Sequence, residues 1–251
     1  MTPFFDAWWL PVIFAGLMGL SILLYVILDG YDLGVGMLTR LEKDENRDLM
    51  VASIGPFWDA NETWLVLGIG LLLVAFPVAH GLILTQLYLP VVLMLIALIL
   101  RGVSFEFRAK APPEQKHRWD SAFFYGSLLT ALCQGYMLGA YVLGFDQSLA
   151  SVLFCLLAAR GLVAGYLFVG ACWLIYKVEG ELQKRAVRWA EVTLWLTALA
   201  MAIISIATPM LSERIFERWF RLPEIIALLP IPIAAATLFL GLAIFLRRPL
   251  R

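Results

Sequence analysis

Charged side chains are scarce in this sequence of 251 residues. They make up 15% of the chain, and hydrophobic residues make up 62%, against roughly 25% and 45–50% in ordinary soluble domains. The 19 basic residues equal the 19 acidic residues in number, so no net charge attracts nucleic acid. This composition excludes soluble enzymes and nucleic-acid-binding proteins, and it predicts an integral membrane protein.

Histidine and cysteine are also rare, with two and three copies. Cys133, Cys155 and Cys172 all lie in apolar runs without CxxC spacing, which predicts packing residues rather than disulfides or metal ligands. His80 and His117 fall in connections that the predicted topology places on opposite faces of the membrane, so they cannot ligate one haem together. We therefore expect this chain to hold no metal and no haem of its own.

The long apolar runs predict an all-α fold, a polytopic bundle of about seven transmembrane helices. A span needs about 20 apolar residues, and the alternating pattern of a membrane β-barrel is absent from the sequence. We expect a single membrane domain over 1–251, with a first four-helix bundle at about 8–144 and an incomplete second bundle at about 150–246. The predicted spans lie at about 8–28, 55–76, 79–100, 121–144, 150–176, 189–209 and 226–246.

The basic residues predict how the chain is oriented. Most of the Lys and Arg fall in the first, third and fifth connections and at the C-terminal end. Cytoplasmic connections carry such an excess of Lys and Arg. We therefore expect a periplasmic N-terminus, with the odd-numbered connections in the cytoplasm.

Four acidic residues lie near the inner ends of the first two predicted spans. Asp29 and Asp32 are three residues apart, as are Asp59 and Glu62, so each pair shares a helix face. A charge at membrane depth costs at least about 2.5 kcal/mol, and neighbouring carboxylates repel each other, which favours their sharing a proton. We predict a proton relay that draws from the cytoplasm, with Asp59 as its principal residue.

Arg101 closes the third predicted span on the same side and is the predicted charge partner of these acids. Simpler interpretations stay open. Asp29 and Asp32 would cap a helix end broken by glycines. Asp59 would cap a helix or pair with Arg101, or the arginine would reach a lipid head group. Trp58 is a candidate quinone contact, against the alternative of an aromatic residue at the membrane boundary.

Three stretches carry a resemblance to a known family. They are DGYDLGVGMLTR at 29–40, GPFWDANETW at 55–64 and RGVSFEFR at 101–108. In this order they resemble subunit II of the cytochrome bd-type quinol oxidases, and the form WDANETW resembles the cyanide-insensitive branch. The resemblance implies a complex of the bacterial inner membrane. Its subunit I carries two haems b and one haem d and transfers electrons from ubiquinol to O2, while subunit II contributes structure and proton access.

The resemblance also implies roles for individual residues. Asp59 matches the acid at the entrance of a proton channel, and Asp29 and Arg101 match its polar neighbours. Phe57 stands where relatives often have histidine, which removes one relay group. Family members usually have about nine spans, so we expect this chain to be truncated or reduced at its C-terminus.

The implied partners are subunit I, membrane lipid and in some complexes a small third subunit, with ubiquinol and O2 as substrates and quinone as a candidate ligand. Two rival functions stay open. A proton-coupled secondary transporter would also carry acids at membrane depth, but at broken helices near the midplane of two related halves. A purely structural membrane subunit would carry the same acids as satisfied ion pairs.

Overall fold

The computed structural model describes residues 9–247, and over this range the chain is helical with no β-strand. A short 3-10 helix, Thr39–Leu41, follows the first α-helix. The prediction of an all-α fold is confirmed. The α-helices are α1 (Trp9–Leu38), α2 (Asp44–Ile54), α3 (Trp58–Ala75), α4 (Pro77–Gln86), α5 (Tyr88–Lys110), α6 (Pro113–Val142), α7 (Leu149–Lys177), α8 (Gly180–Leu211), α9 (Glu213–Phe220), α10 (Glu224–Leu228) and α11 (Pro230–Leu246).

Six stretches among the described residues are long and apolar enough to cross a membrane. They lie at 9–41, 58–75, 88–110, 149–177, 180–211 and 224–246. The remaining predicted span corresponds to α6, a helix of 30 residues that packs between α5 and α7. It is less apolar than the others because polar side chains such as Thr130 and Gln134 interrupt it.

The first helix extends ten residues beyond its predicted end. Asp29 and Asp32 therefore lie inside α1, and the alternative in which they cap a helix end broken by glycines is wrong. The glycines instead allow neighbouring helices to approach, since a Cβ atom on Gly34 would lie 1.9 Å from the carbonyl oxygen of Tyr166 in α7. Both acids are consequently buried between helices.

The third predicted span is also shifted. Its first part forms the separate helix α4, which has Pro77 at its start, and the helix is interrupted at Leu87. The spanning helix α5 then runs from Tyr88 to Lys110. Arg101 thus lies inside a helix rather than at its end, and none of its side chain is exposed.

The second half of α1, from Ser21 onwards, lies at the centre of the molecule, and α1 packs against α3, α6 and α7. Next to α2, a buried apolar core joins α1, α2, α6, α7 and α8, and it includes Leu38, Ile54, Leu174 and Ala186. We call this end of the bundle the α2 end. The division into two four-helix bundles stays a prediction. Because α1 is surrounded, polar groups on its inner faces must find partners on neighbouring helices.

Candidate functional site: a buried charge cluster

The centre of the site is an ion pair between α5 and α1. Arg101 Nη2 lies 2.9 Å from Asp29 Oδ1, and neither side chain is exposed. Arg101 Nη1 also lies 3.6 Å from Oε2 of Glu62 on α3, whose side chain is 27% exposed. One guanidinium group therefore joins carboxylates from two other helices. We call Asp29, Asp32, Glu62 and Arg101 the charge cluster.

The second acid of α1 is held by an amide from α3. Asn61 Nδ2 donates to Asp32 Oδ2 at 2.8 Å and lies 2.7 Å from the hydroxyl oxygen of Tyr31. Asp32 is fully buried, and Asn61 is 6% exposed. Asn61 was not predicted as a site residue, because it is a neutral side chain between the charged residues Asp59 and Glu62.

Asp59 lies apart from this buried group. It stands in the first turn of α3 with its side chain exposed, whereas Glu62 is half-buried one turn later. The carboxylates of Asp59 and Glu62 interact electrostatically. Arg101 pairs with Asp29 and Glu62, so the alternative in which Arg101 pairs with Asp59 is wrong. The structure thus places Asp59 outside the cluster that the other predicted residues form.

An aromatic side chain borders the cluster where α3 begins. The guanidinium carbon of Arg101 lies 5.8 Å from the ring centroid of Trp58, within the range of a cation–π contact. The same ring lies 5.0 Å from Phe105 of α5. Trp58 therefore contacts the site directly, while its role as a quinone contact stays a prediction.

The cluster has more negative than positive groups, since three carboxyl groups face one guanidinium. Several of its buried atoms have no hydrogen-bond partner among the described residues: both carboxylate oxygens of Asp29, Oδ1 of Asp32 and the three guanidinium nitrogens of Arg101. The 2.9 Å contact of Arg101 with Asp29 is thus an ion pair without hydrogen-bond alignment. Buried polar atoms of this kind usually bind ordered water. Carboxyl groups next to water are suited to accepting and passing a proton.

A chain of neutral polar side chains continues from the cluster. Tyr25 lies one turn before Asp29 on α1 and interacts with it. Gln134 of α6 donates to the Tyr25 hydroxyl and accepts a 2.7 Å hydrogen bond from Tyr166 of α7. Tyr25 and Gln134 were not predicted as site residues. The available signal was Gln134, an uncharged polar side chain well inside the membrane-spanning part of α6.

A separate ion network closes the α2 end. Asp120 accepts hydrogen bonds from Arg47 and Arg108. Nη2 of Arg108 also lies 2.6 Å from Oδ1 of Asp48. Partial burial is the largest single influence and raises the pKa of Asp48, but the hydrogen bonds and positive charges of Arg108 and Lys116 together outweigh it and hold this pKa below its usual value. Because it links α2, α5 and α6, the network fixes the helix ends around the cluster.

The remaining candidates for chemistry are dispersed. His80 lies in α4 and His117 in the first turns of α6, and Arg160 is exposed on α7. Within residues 9–247, no three His, Cys, Asp or Glu side chains are grouped as metal ligands would be. The absence of haem from the isolated chain stays a prediction.

Comparison with known proteins gives consistent matches. Residues 10–250 match the family described as "Cytochrome bd terminal oxidase subunit II". The chain is 32% identical over 216 residues to "Cytochrome bd-I ubiquinol oxidase subunit 2" of Escherichia coli strain K12, covering 79% of this chain and 55% of that protein. It is 29% identical over 263 aligned residues to "Cytochrome bd ubiquinol oxidase subunit 2" of Bacillus subtilis strain 168, covering 99% and 74%. The chain thus spans about half the length of the E. coli relative.

Proposed function

Because this chain belongs to the cytochrome bd terminal oxidase subunit II family, we propose that it is the haem-free, proton-admitting subunit of a bd-type quinol oxidase. In this proposal a partner, subunit I, holds two haems b and one haem d and is the site of ubiquinol oxidation and O2 reduction. The complex lies in the bacterial inner membrane, with the α2 end facing the cytoplasm. This chain contributes proton access and structural support.

The observation that supports this function most directly is the charge count of the buried cluster. Arg101 is its single cation, and it faces the carboxyl groups of Asp29, Asp32 and Glu62. An uncompensated charge at membrane depth costs about 2.5 kcal/mol or more. The cluster therefore holds at least one proton that its members share, which is the property that a relay needs.

A gradient of burial gives the relay its direction. Asp59 is exposed where α3 begins, and Glu62 is half-buried one turn further. Asp29 is fully buried and contacts a different nitrogen of the Arg101 guanidinium from the one that faces Glu62. Asp59 receives a proton at the surface, and Glu62 passes it through a bridging water to Asp29. Asp32, held by Asn61, is the second fully buried acid, and Arg101 is the cation that faces all three acids of the charge cluster.

The position of the acids argues against a secondary transporter. They converge from α1 and α3 on one arginine near one end of the bundle. Transporter sites instead form at the midplane between two related halves, at broken helices. The structural role remains a real competitor, because the buried pair of Asp29 and Arg101 would also fix α1 to α5.

Replacement of Asp59 by Asn tests the proposal. The change keeps shape and hydrogen-bonding capacity but removes the titratable group. In the purified oxidase complex, Asp59→Asn should lower quinol-driven oxygen consumption per haem by about tenfold or more, as expected when a positioned acid or base is lost. Haem content should stay normal. Glu114→Gln is the matched control, because Glu114 is an exposed acid at the same end of the bundle.

Two other results would show that Asp59 is not part of a proton relay. If Asp59→Asn loses haem and complex yield together while turnover per haem stays unchanged, the acid serves assembly. If the assembled variant turns over normally, Asp59 has neither role, and the proton must enter through the partner subunit.

A further inference from the structure

Two buried tyrosines and a half-buried glutamine, from three helices, form one continuous hydrogen-bonded chain. The hydroxyl of Tyr166 on α7 donates to Oε1 of Gln134 on α6 at 2.7 Å. Nε2 of Gln134 in turn donates to the hydroxyl oxygen of Tyr25 on α1. The two tyrosines are 2% and 3% exposed, so this chain lies inside the bundle.

The amide gives the chain a fixed direction. Its carbonyl end accepts from Tyr166, so its NH2 end faces Tyr25 as a donor. A phenol oxygen that accepts one hydrogen bond still has its own proton to donate. The carboxylate of Asp29 lies one helical turn along α1 from Tyr25 and interacts with its hydroxyl. The chain therefore directs the Tyr25 proton towards Asp29.

The position of Tyr166 is itself determined by backbone packing. A Cβ atom on Gly30 would lie 2.8 Å from the Tyr166 ring, so this ring lies directly against α1 beside Asp29. Polar side chains in an apolar interior cost free energy unless they are hydrogen-bonded. Leucine and phenylalanine would fill the same volume without that requirement. The use of polar side chains here therefore indicates a role for them at Asp29, the residue at which the chain ends.

We propose that Gln134 is a positioning residue for Asp29. Its amide donates to the Tyr25 hydroxyl oxygen, which leaves the Tyr25 proton free to turn towards that carboxylate one helical turn away, and Tyr166 fixes the orientation of the amide. The Tyr25 hydroxyl and the Arg101 guanidinium then hold the Asp29 carboxyl group in one orientation, from which it can pass a proton. This inference rests on the proposed function, since it assigns residues that position a member of the same proton relay.

The test replaces the amide by a side chain of similar volume. Gln134→Leu in the assembled oxidase should lower turnover per haem by about three- to tenfold, which is the factor that one neutral hydrogen bond is worth. Tyr25→Phe should lower it equally, and the double variant should lose no more than either single variant. Haem content should stay normal in all three.

An infrared measurement adds a readout that a merely structural role would not change. The carbonyl band of protonated Asp29 is identified by its disappearance in Asp29→Asn. This band should move to higher frequency in both Gln134→Leu and Tyr25→Phe, because the carboxyl group loses its donor. Tyr136→Phe is the control, since Tyr136 also lies on α6 and no hydrogen bond of its hydroxyl occurs among the described residues.

The outcomes separate this inference from the proposed function. Unchanged turnover and an unchanged Asp29 band in Gln134→Leu overturn the positioning role, even if Asp59→Asn is impaired as expected. Equal turnover per haem with a lower yield of complex also overturns it. If Gln134→Leu does not assemble, Tyr25→Phe decides by the same two readouts. Normal turnover in both Asp59→Asn and Asp29→Asn instead removes the proposed function.

Discussion

At the scale of single residues, the balance of buried charge depends on Arg101. Its guanidinium contacts Asp29 and Glu62, and its ring neighbour Trp58 shields it where α3 begins. Removing one partner of a buried ion pair is far more costly than never having the pair, because the remaining charge stays buried without compensation. The cluster should therefore be much more sensitive to loss of the cation than to loss of any one acid.

We expect Arg101→Met to lower the free energy of unfolding by about 3–5 kcal/mol, since three carboxyl groups then face one another. Adding Asp29→Leu to this variant should recover part of the lost stability, because it removes one of the buried acids that no longer has a cation beside it. Thermal unfolding of the purified complex in detergent measures both effects. Arg118→Met is the control, as Arg118 is exposed. An equal loss in the single and double variants would contradict the charge argument.

Sequence reasoning identified the charged members of the site and missed the neutral ones. Acids and an arginine at membrane depth stand out because each one costs free energy, so Asp29, Glu62 and Arg101 were predictable. Asn61 and Gln134 are uncharged and do not stand out in this way, and their partners lie on other helices far away in the chain. Only tertiary packing brings these side chains together.

At the scale of helices, the close approach of α1 and α7 shapes the site. A Cβ atom added to Gly170 would lie 2.6 Å from the carbonyl carbon of Gly34. The sequence pattern of glycines indicated a helix end, because glycine favours helix termini as well as close packing. The pattern alone does not decide between these two uses, since the second depends on which helix lies opposite.

Substitution of Gly34 tests this contact. The new methyl group of Gly34→Ala would meet a backbone oxygen, which no rotamer change can move away. We expect α1 and α7 to separate and the stability of the complex to fall by about 3 kcal/mol or more. Gly16→Ala on the same helix has no atom within 4 Å of the added carbon and should change stability little. Comparable melting temperatures for the two variants would show that the helices are not in tight contact.

At the scale of the whole molecule, large apolar side chains cover much of the outer surface of the spanning helices. Ala243 is the buried residue of α11, while Ile231, Leu238 and Phe245 on the same helix are exposed. The hydropathy of the sequence predicted this distribution well. Which spans contact each other was not predictable, because all of them present similar apolar surfaces to lipid and to protein.

The orientation of the bundle is testable with two engineered cysteines. Gln115 and Gln147 are both exposed, one at the start of α6 and the other in the connection before α7, at opposite ends of the bundle. In a variant lacking the native cysteines, an impermeant maleimide should label Gln147→Cys in intact spheroplasts but Gln115→Cys only after lysis. This follows from the basic residues at the α2 end. The reverse labelling pattern would contradict the predicted orientation, in which the α2 end faces the cytoplasm.

The pairing of Asp29 with Arg101 has a consequence for biogenesis. The ribosome makes α1 first, and about 70 residues separate the acid from its cation, so at roughly 5–20 residues per second the arginine follows some 4–14 seconds later. During this interval the acids of α1 lack their cation and resist transfer from the translocon into lipid. The first spans should therefore leave the translocon together, as a group whose charges are already matched.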